Sequence, residues 1–146
     1  MKKLHLPLVL IAGLGLAACA EWAVDPVTPP PSLYARVGGM PTINALVDDF
    51  VANMASDPAV SPRLVGANIP QVKASLAAMI CAGAGGPCQA EPGLPGLQNG
   101  MRITEADFNA MLVDYDRTLR KFGVPQKEAS DLMAAMTSNR ANIVGN

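Results

Sequence analysis

The chain has 146 residues, half of them hydrophobic, with eleven basic and twelve acidic side chains and a formal net charge of −1. That length supports one domain, and the apolar fraction is ample for a core, which excludes a wholly disordered chain. With no basic excess, nucleic acid is excluded as a natural partner, and a single histidine leaves little room for a histidine-rich metal site or a Ser–His–Asp triad.

Lys2 and Lys3 form a short positive head, followed by an apolar run from Leu6 to Leu16 and then Leu16-Ala17-Ala18-Cys19. The run is too short to span a bilayer, and the pattern reads as a secretory signal over residues 1–18. Cys19 directly after Leu-Ala-Ala resembles the lipobox of bacterial lipoproteins, in which the cysteine is lipidated and the signal is cut just before it. An ordinary signal peptide with an incidental cysteine is the competing reading. Ala20 lacks the charge that an Asp would bring for inner-membrane retention. The expectation is a lipid anchor in the outer membrane, with the domain on its periplasmic face.

Cleavage removes Lys2, Lys3 and His5, leaving 128 residues with nine basic and twelve acidic groups and no histidine. Residues 19–31 include Pro26 and the run Pro29-Pro30-Pro31, which favours extended geometry and serves as a tether. A single domain over 32–146 follows.

Ser32 is a plausible N-cap for a short helix that stops at Gly38-Gly39. Pro41 suits a first helical position, and Ile43, Leu46, Val47, Phe50, Val51 and Met54 then recur at helical spacing up to Asp57-Pro58. Pro58 to Gly66 holds too many breakers for a long element. Asn68 can cap the next helix, striped by Val72, Leu76, Met79 and Ile80, and Gly85-Gly86-Pro87 ends it. Residues 87–100 read as loop with at most one helical turn. Thr104 and Asp107 form a capping box with Asp in place of the usual Glu, opening a helix striped by Phe108, Met111, Leu112, Tyr115, Leu119 and Phe122. Gly123 closes it, and Pro125 opens a last helix carrying Ala129, Leu132, Met133, Met136 and Ile143. No segment alternates with period two for long enough to be a strand, so the fold class is all-α.

These pieces in their order resemble the group I truncated haemoglobins. The resemblance is carried by Ser32-Leu33-Tyr34-Ala35-Arg36-Val37-Gly38-Gly39, Val47-Asp48-Asp49-Phe50, Gly85-Gly86-Pro87, Ile103-Thr104-Glu105-Ala106-Asp107-Phe108 and Phe122-Gly123-Val124-Pro125. It implies a truncated globin-like, two-over-two helical sandwich and a haem cofactor used for oxygen or nitric oxide binding.

At the family's haem positions the chain departs. Five residues before Ile103, where the family has its proximal histidine, stands Gln98, whose carboxamide is a far poorer iron ligand than imidazole. No other histidine remains in the mature chain to replace it. The family's distal tyrosine position holds Val51, its distal glutamine position Leu76 and the preceding distal position Val72. The aromatic pair before the distal helix is replaced by Arg63 and Leu64. Such a pocket offers no polar group to bound dioxygen, so haem binding is expected to be weakened or lost. Met101 is the remaining sulfur that could ligate iron, while the other methionines read as core packing. The alternative is a haem-free structural or binding module, whose vacated site would either collapse or take an apolar ligand.

Cys81 and Cys88, an even pair in an exported domain, read as a disulfide. Asp48, Asp49, Asp114 and Asp116 read as solvated helix surface. No constellation supports catalysis or a metal site.

Overall fold

The computed structural model describes residues 29–145, apart from 92 and 99. The signal, Cys19 and the tether up to residue 28 lie outside the described residues. Among the described residues eight helices follow in chain order: α1 Leu33–Arg36, α2 Gly39–Ser56, α3 Ser61–Leu64, α4 Ile69–Gly83, α5 Pro95–Gln98, α6 Glu105–Lys121, α7 Gln126–Ser138 and α8 Arg140–Ile143. The fold is all-α, and no helix among the described residues is long and apolar enough to cross a membrane.

Two long helix pairs make the architecture. The α2/α4 pair lies on the α6/α7 pair, α2 against α6 and α4 against α7. The four-residue link between α6 and α7 is short enough to make them neighbours in an up-down pair. Where α4 crosses α7 the backbone comes close: a side chain at Gly83 would begin 3.0 Å from the Ala135 methyl. The core runs through all four long helices. Phe50 of α2 packs its ring against Tyr115 of α6 with centroids 5.1 Å apart, a tilted pair that adds to the apolar burial of both rings.

The helix ends explain the boundaries. Ser32 accepts a hydrogen bond from the Ala35 amide at 3.3 Å, and Asn68 accepts one from Gln71 at the same distance. At α6 the box is complete. The Thr104 hydroxyl accepts from the Asp107 amide, and the Asp107 carboxylate accepts from the Thr104 amide at 2.8 Å. Two boundaries differ from the sequence pattern. Helix α2 begins at Gly39, two residues before Pro41, because left-handed Gly38 supplies the turn into it. The last helix breaks at Asn139 into α7 and α8, and Gly145 then donates to the Ile103 carbonyl at 3.0 Å, pinning the carboxyl end beside the start of α6.

Cys81 and Cys88 are joined across the end of α4, with Cα atoms 5.8 Å apart. The loop they close is tight. A side chain at Gly86 would meet the Tyr34 ring at 2.5 Å and the Cys81 sulfur at 2.6 Å. Replacing both cysteines by alanine is expected to lower stability by about 2.5 kcal/mol, the chain entropy of so short a loop. Urea unfolding midpoints with and without reductant check this, since reduction of the native chain should lower its midpoint similarly.

Asp114 and Asp49 do not sit on solvated surface. Asp114 has no accessible surface, because the helix face that carries it turns toward the end of α2. One of its oxygens takes the Arg117 guanidinium at 2.8 Å, and the other has no partner, nor does the Tyr115 hydroxyl beside it in sequence. Asp49 is half-buried and accepts from Thr118 at 3.0 Å, from Asn53 at 3.1 Å and from Lys121, clamping α2 to α6.

Burial, with the charge of Asp57 nearby, raises the Asp114 carboxyl above its ordinary value against the pull of Arg117. As pH rises the unfolded chain therefore gives up this proton before the folded one does. The group's contribution is full below the ordinary carboxylate value and is lost as pH climbs through the folded one. Asp114→Asn is expected to stabilise the protein by about 1 kcal/mol at pH 7, the order of one unmet hydrogen bond. Thermal melts of the variant and native protein from pH 4 to 7 should show the gain closing toward pH 4.

Candidate functional site

The haem-pocket positions implied by the sequence lie on α2, α3, α4 and α5 and just after α5. Helix α4 places Val72 and Leu76 one turn apart on a single face, and α2 brings Val51 to the same core. Leu64 at the end of α3 and Met101 after α5 join that core too. The structure therefore brings Val51, Leu64, Val72, Leu76 and Met101 into one buried cluster. Gln98 closes α5, and its side chain lies outside what is described. Cys19 does as well.

What these side chains surround is each other. Val72, Leu76 and Leu97 have no accessible surface. A side chain with none borders no void large enough for water, since any such void would expose part of it. Surface hollows reach only the cluster's edge, one beside Pro62 and Val65 that touches Leu64 and another beside Arg63 and Gly100 that touches Met101.

The reason is a helix-to-helix approach that the sequence pattern did not single out. Gly96, in the middle of α5, donates its amide to the Ser75 hydroxyl of α4 at 3.1 Å. A Cβ at position 96 would stand 2.4 Å from the Gln71 carbonyl oxygen and 2.6 Å from the Ser75 oxygen. Only glycine permits this backbone contact. With α5 seated on α4, Leu94, Leu97 and Met101 are all buried in the core. The available signal was a glycine inside the one helical turn of a breaker-rich segment, where it reads as loop punctuation.

Beside this cluster polar groups join α3 to α6. Arg63, at the position of a lost aromatic, directs its Nε to the Asp107 carboxylate at 2.8 Å. Asp107 is buried, which by itself would raise its pKa. The Thr104 amide and hydroxyl and the Arg63 guanidinium outweigh that and hold it below the ordinary carboxylate value. Helix α3 is thereby fastened to the first turn of α6.

Haem fits this arrangement poorly on two counts. No histidine occurs in residues 29–145, and α4 and α5 are in direct contact where a flat macrocycle would have to separate them. Among the described residues no cluster of three or more His, Cys, Asp or Glu could hold a metal ion.

Comparison with known proteins places the fold. The family model described as "Bacterial-like globin" matches residues 32–144. The chain is 28% identical over 109 residues to the group 1 truncated hemoglobin GlbN of Mycolicibacterium paratuberculosis, covering 73% of this chain and 79% of that protein. Among solved structures, the truncated hemoglobin of Tetrahymena pyriformis in its Fe(III) form superposes with a TM-score of 0.69 at 18% identity, over 80% of this chain and all of that one. Chlamydomonas reinhardtii THB1 does so with a TM-score of 0.64 at 26% identity, over 81% of this chain and all of that one. The chain belongs to the bacterial-like globin family, with a truncated globin fold.

Proposed function

We propose that this protein is a lipid-anchored, haem-free member of a family whose general role is haem-based gas binding, acting as a binding or structural module on the periplasmic face of the outer membrane. The observation that carries the haem-free reading is the Gly96 amide on the Ser75 hydroxyl at 3.1 Å. That contact occupies the gap a macrocycle needs, and the residue at the proximal position is a glutamine. Loss on the distal side supports the same reading, since Val51, Val72 and Leu76 present no hydrogen-bond donor to a bound diatomic ligand. The anchor rests on Leu16-Ala17-Ala18-Cys19 and the proline-rich tether behind it.

Titrating the purified mature protein with haemin is expected to give no saturable Soret band at one equivalent. A stoichiometric complex overturns the haem-free reading, and Met101→Ala then tests the sulfur as axial ligand, because its loss would shift the spectrum. The anchor is tested separately. Cys19→Ser is expected to move the protein from the membrane fraction to another cell fraction, and an unchanged distribution overturns lipidation.

A further inference from the structure

We propose that Cys81, Cys88 and Met40 form a three-sulfur site for copper(I), which becomes available when a dithiol reduces the Cys81–Cys88 disulfide. None of the three stands at a haem-pocket position, so the site is independent of whether haem binds.

The third sulfur carries the inference. The Met40 thioether lies 3.7 Å from the Cys88 sulfur. Met54, Met79, Met111 and Met136 are buried in the core, where methionine fills space between apolar neighbours. Met40 is instead half-buried, and its sulfur meets another sulfur. At a metal–thiolate distance of about 2.3 Å, three sulfurs around one ion stand about 4 Å apart. Met40 and Cys88 are close to that separation. The Cα atoms of Cys81 and Cys88 are 5.8 Å apart, so side-chain rotation lets their sulfurs part by the same amount once the bond is opened.

The frame around the sulfurs is made without them. Tyr34 donates its amide to the Ala84 carbonyl at 2.8 Å, and Gly86 donates to the Cys81 carbonyl at 2.8 Å. The Tyr34 hydroxyl accepts from the Met40 amide at 3.2 Å. Its ring takes the space that a side chain at Gly86 would need. One tyrosine thus joins the end of α4, the cysteine loop and Met40.

Reduction consumes one dithiol. Its thiolate attacks the half-buried Cys88 sulfur, the Cys81–Cys88 bond breaks, and Cys81 leaves as thiolate. The second thiol of the reductant then releases Cys88 and closes the reductant into a cyclic disulfide. Two electrons and two protons have passed to the cysteines. Copper(I) sends both protons to solvent and takes two thiolates and one thioether. Such soft donors suit copper(I). A structural zinc site takes four ligands from Cys, His, Asp and Glu. Among the described residues no His, Asp or Glu joins the two cysteines in a cluster of three.

The test uses the mature protein carrying Cys19→Ser, so that no third thiol competes. It is reduced with dithiothreitol, desalted without air and titrated with copper(I) held by bicinchoninate. The reduced protein is expected to withdraw one equivalent and the oxidised protein none. Met40→Leu keeps the volume and is expected to weaken binding tenfold or more, with urea unfolding of its oxidised form as the folding check. Met133→Leu, at the other half-buried methionine among the described residues, should bind as the parent does. No uptake by the reduced protein overturns the site. Uptake unmoved by Met40→Leu, or lowered equally by Met133→Leu, overturns the thioether ligand. If Met40→Leu fails to fold, X-ray absorption of the copper complex decides: three sulfur ligands are expected, and two overturn the assignment. Zinc withdrawn from 4-(2-pyridylazo)resorcinol overturns the choice of ion. Loss of helical circular dichroism on reduction overturns the frame.

Discussion

Asp107→Ala is expected to lower stability by about 3 kcal/mol at neutral pH, the sum of a lost helix cap at about 1 and a lost charge-assisted bond at about 2. In a domain of this size that corresponds to a fall in melting temperature on the order of 10–20 °C. The carboxylate has three partners in two roles: it accepts from the Thr104 amide at 2.8 Å and the Thr104 hydroxyl at 2.7 Å, and it pairs with Arg63 at 2.8 Å. Removing it unmakes the α6 cap and frees α3 at once. Asp107→Asn keeps an acceptor oxygen for the cap and loses the charge, so it should lose about half as much.

The pH dependence identifies the mechanism. The Asp107 carboxyl is held below its ordinary value in the folded protein. Its contribution is therefore present above the ordinary carboxylate value and is lost as pH falls from there through the folded one. The gap between native and Asp107→Ala melting temperatures should stay constant from pH 5 to 8 and narrow below pH 4. A gap independent of pH over the whole range would show that packing, not the ionised carboxylate, accounts for the loss.

Asp107 also shows how much of the molecule was legible in its sequence. Its place in the capping box followed from Thr104 three residues before it, a local rule needing no tertiary information. The stripes of α2, α4 and α6 were legible for the same reason, since period and caps are written along the chain. The Arg63 partnership was not legible. It joins residues 44 apart, and the substitution that removed an aromatic ring from α3 turned out to supply a tie between α3 and α6. Asp114 misled because its neighbours Arg117 and Asp116 are surface residues, while the packing of α6 against α2 takes its carboxylate out of water. Asn139 resembles any helix-interior polar residue until the Gly145 amide is seen reaching the Ile103 carbonyl.

At the candidate site, the missing chemistry was legible and the shape was not. Spacing from Ile103 put Gln98 at the proximal position, and composition excluded a substitute histidine. Whether the vacated space remained open depended on Gly96, where the absence of a side chain lets two backbones touch. A glycine in a proline-rich stretch carries no sign of which neighbour it will approach.

Leu76 is where restoring the family's chemistry and keeping this protein's fold are expected to conflict. Leu76→Ala should cost about 2–5 kcal/mol, the range for emptying a fully buried leucine site. Leu76→Gln restores the polar residue that the truncated haemoglobins use on the distal side. Position 76 has no accessible surface and belongs to the apolar core, so the amide would be buried there without a partner. The lost apolar contact and the unmet hydrogen bonds together should cost about 3–5 kcal/mol. If the α4–α5 contact could still open for haem, haemin would bind Leu76→Gln and raise its melting temperature toward the native value. With Gly96 seated on Ser75 no such recovery is expected. Adding Gln98→His supplies the iron ligand and leaves the steric closure in place, so the double variant should give no stoichiometric Soret band either. Binding by the double variant alone would mean that ligand loss, not closure, is what keeps haem from this domain. Binding only when Gly96→Ala is added would locate the barrier at the α4–α5 contact.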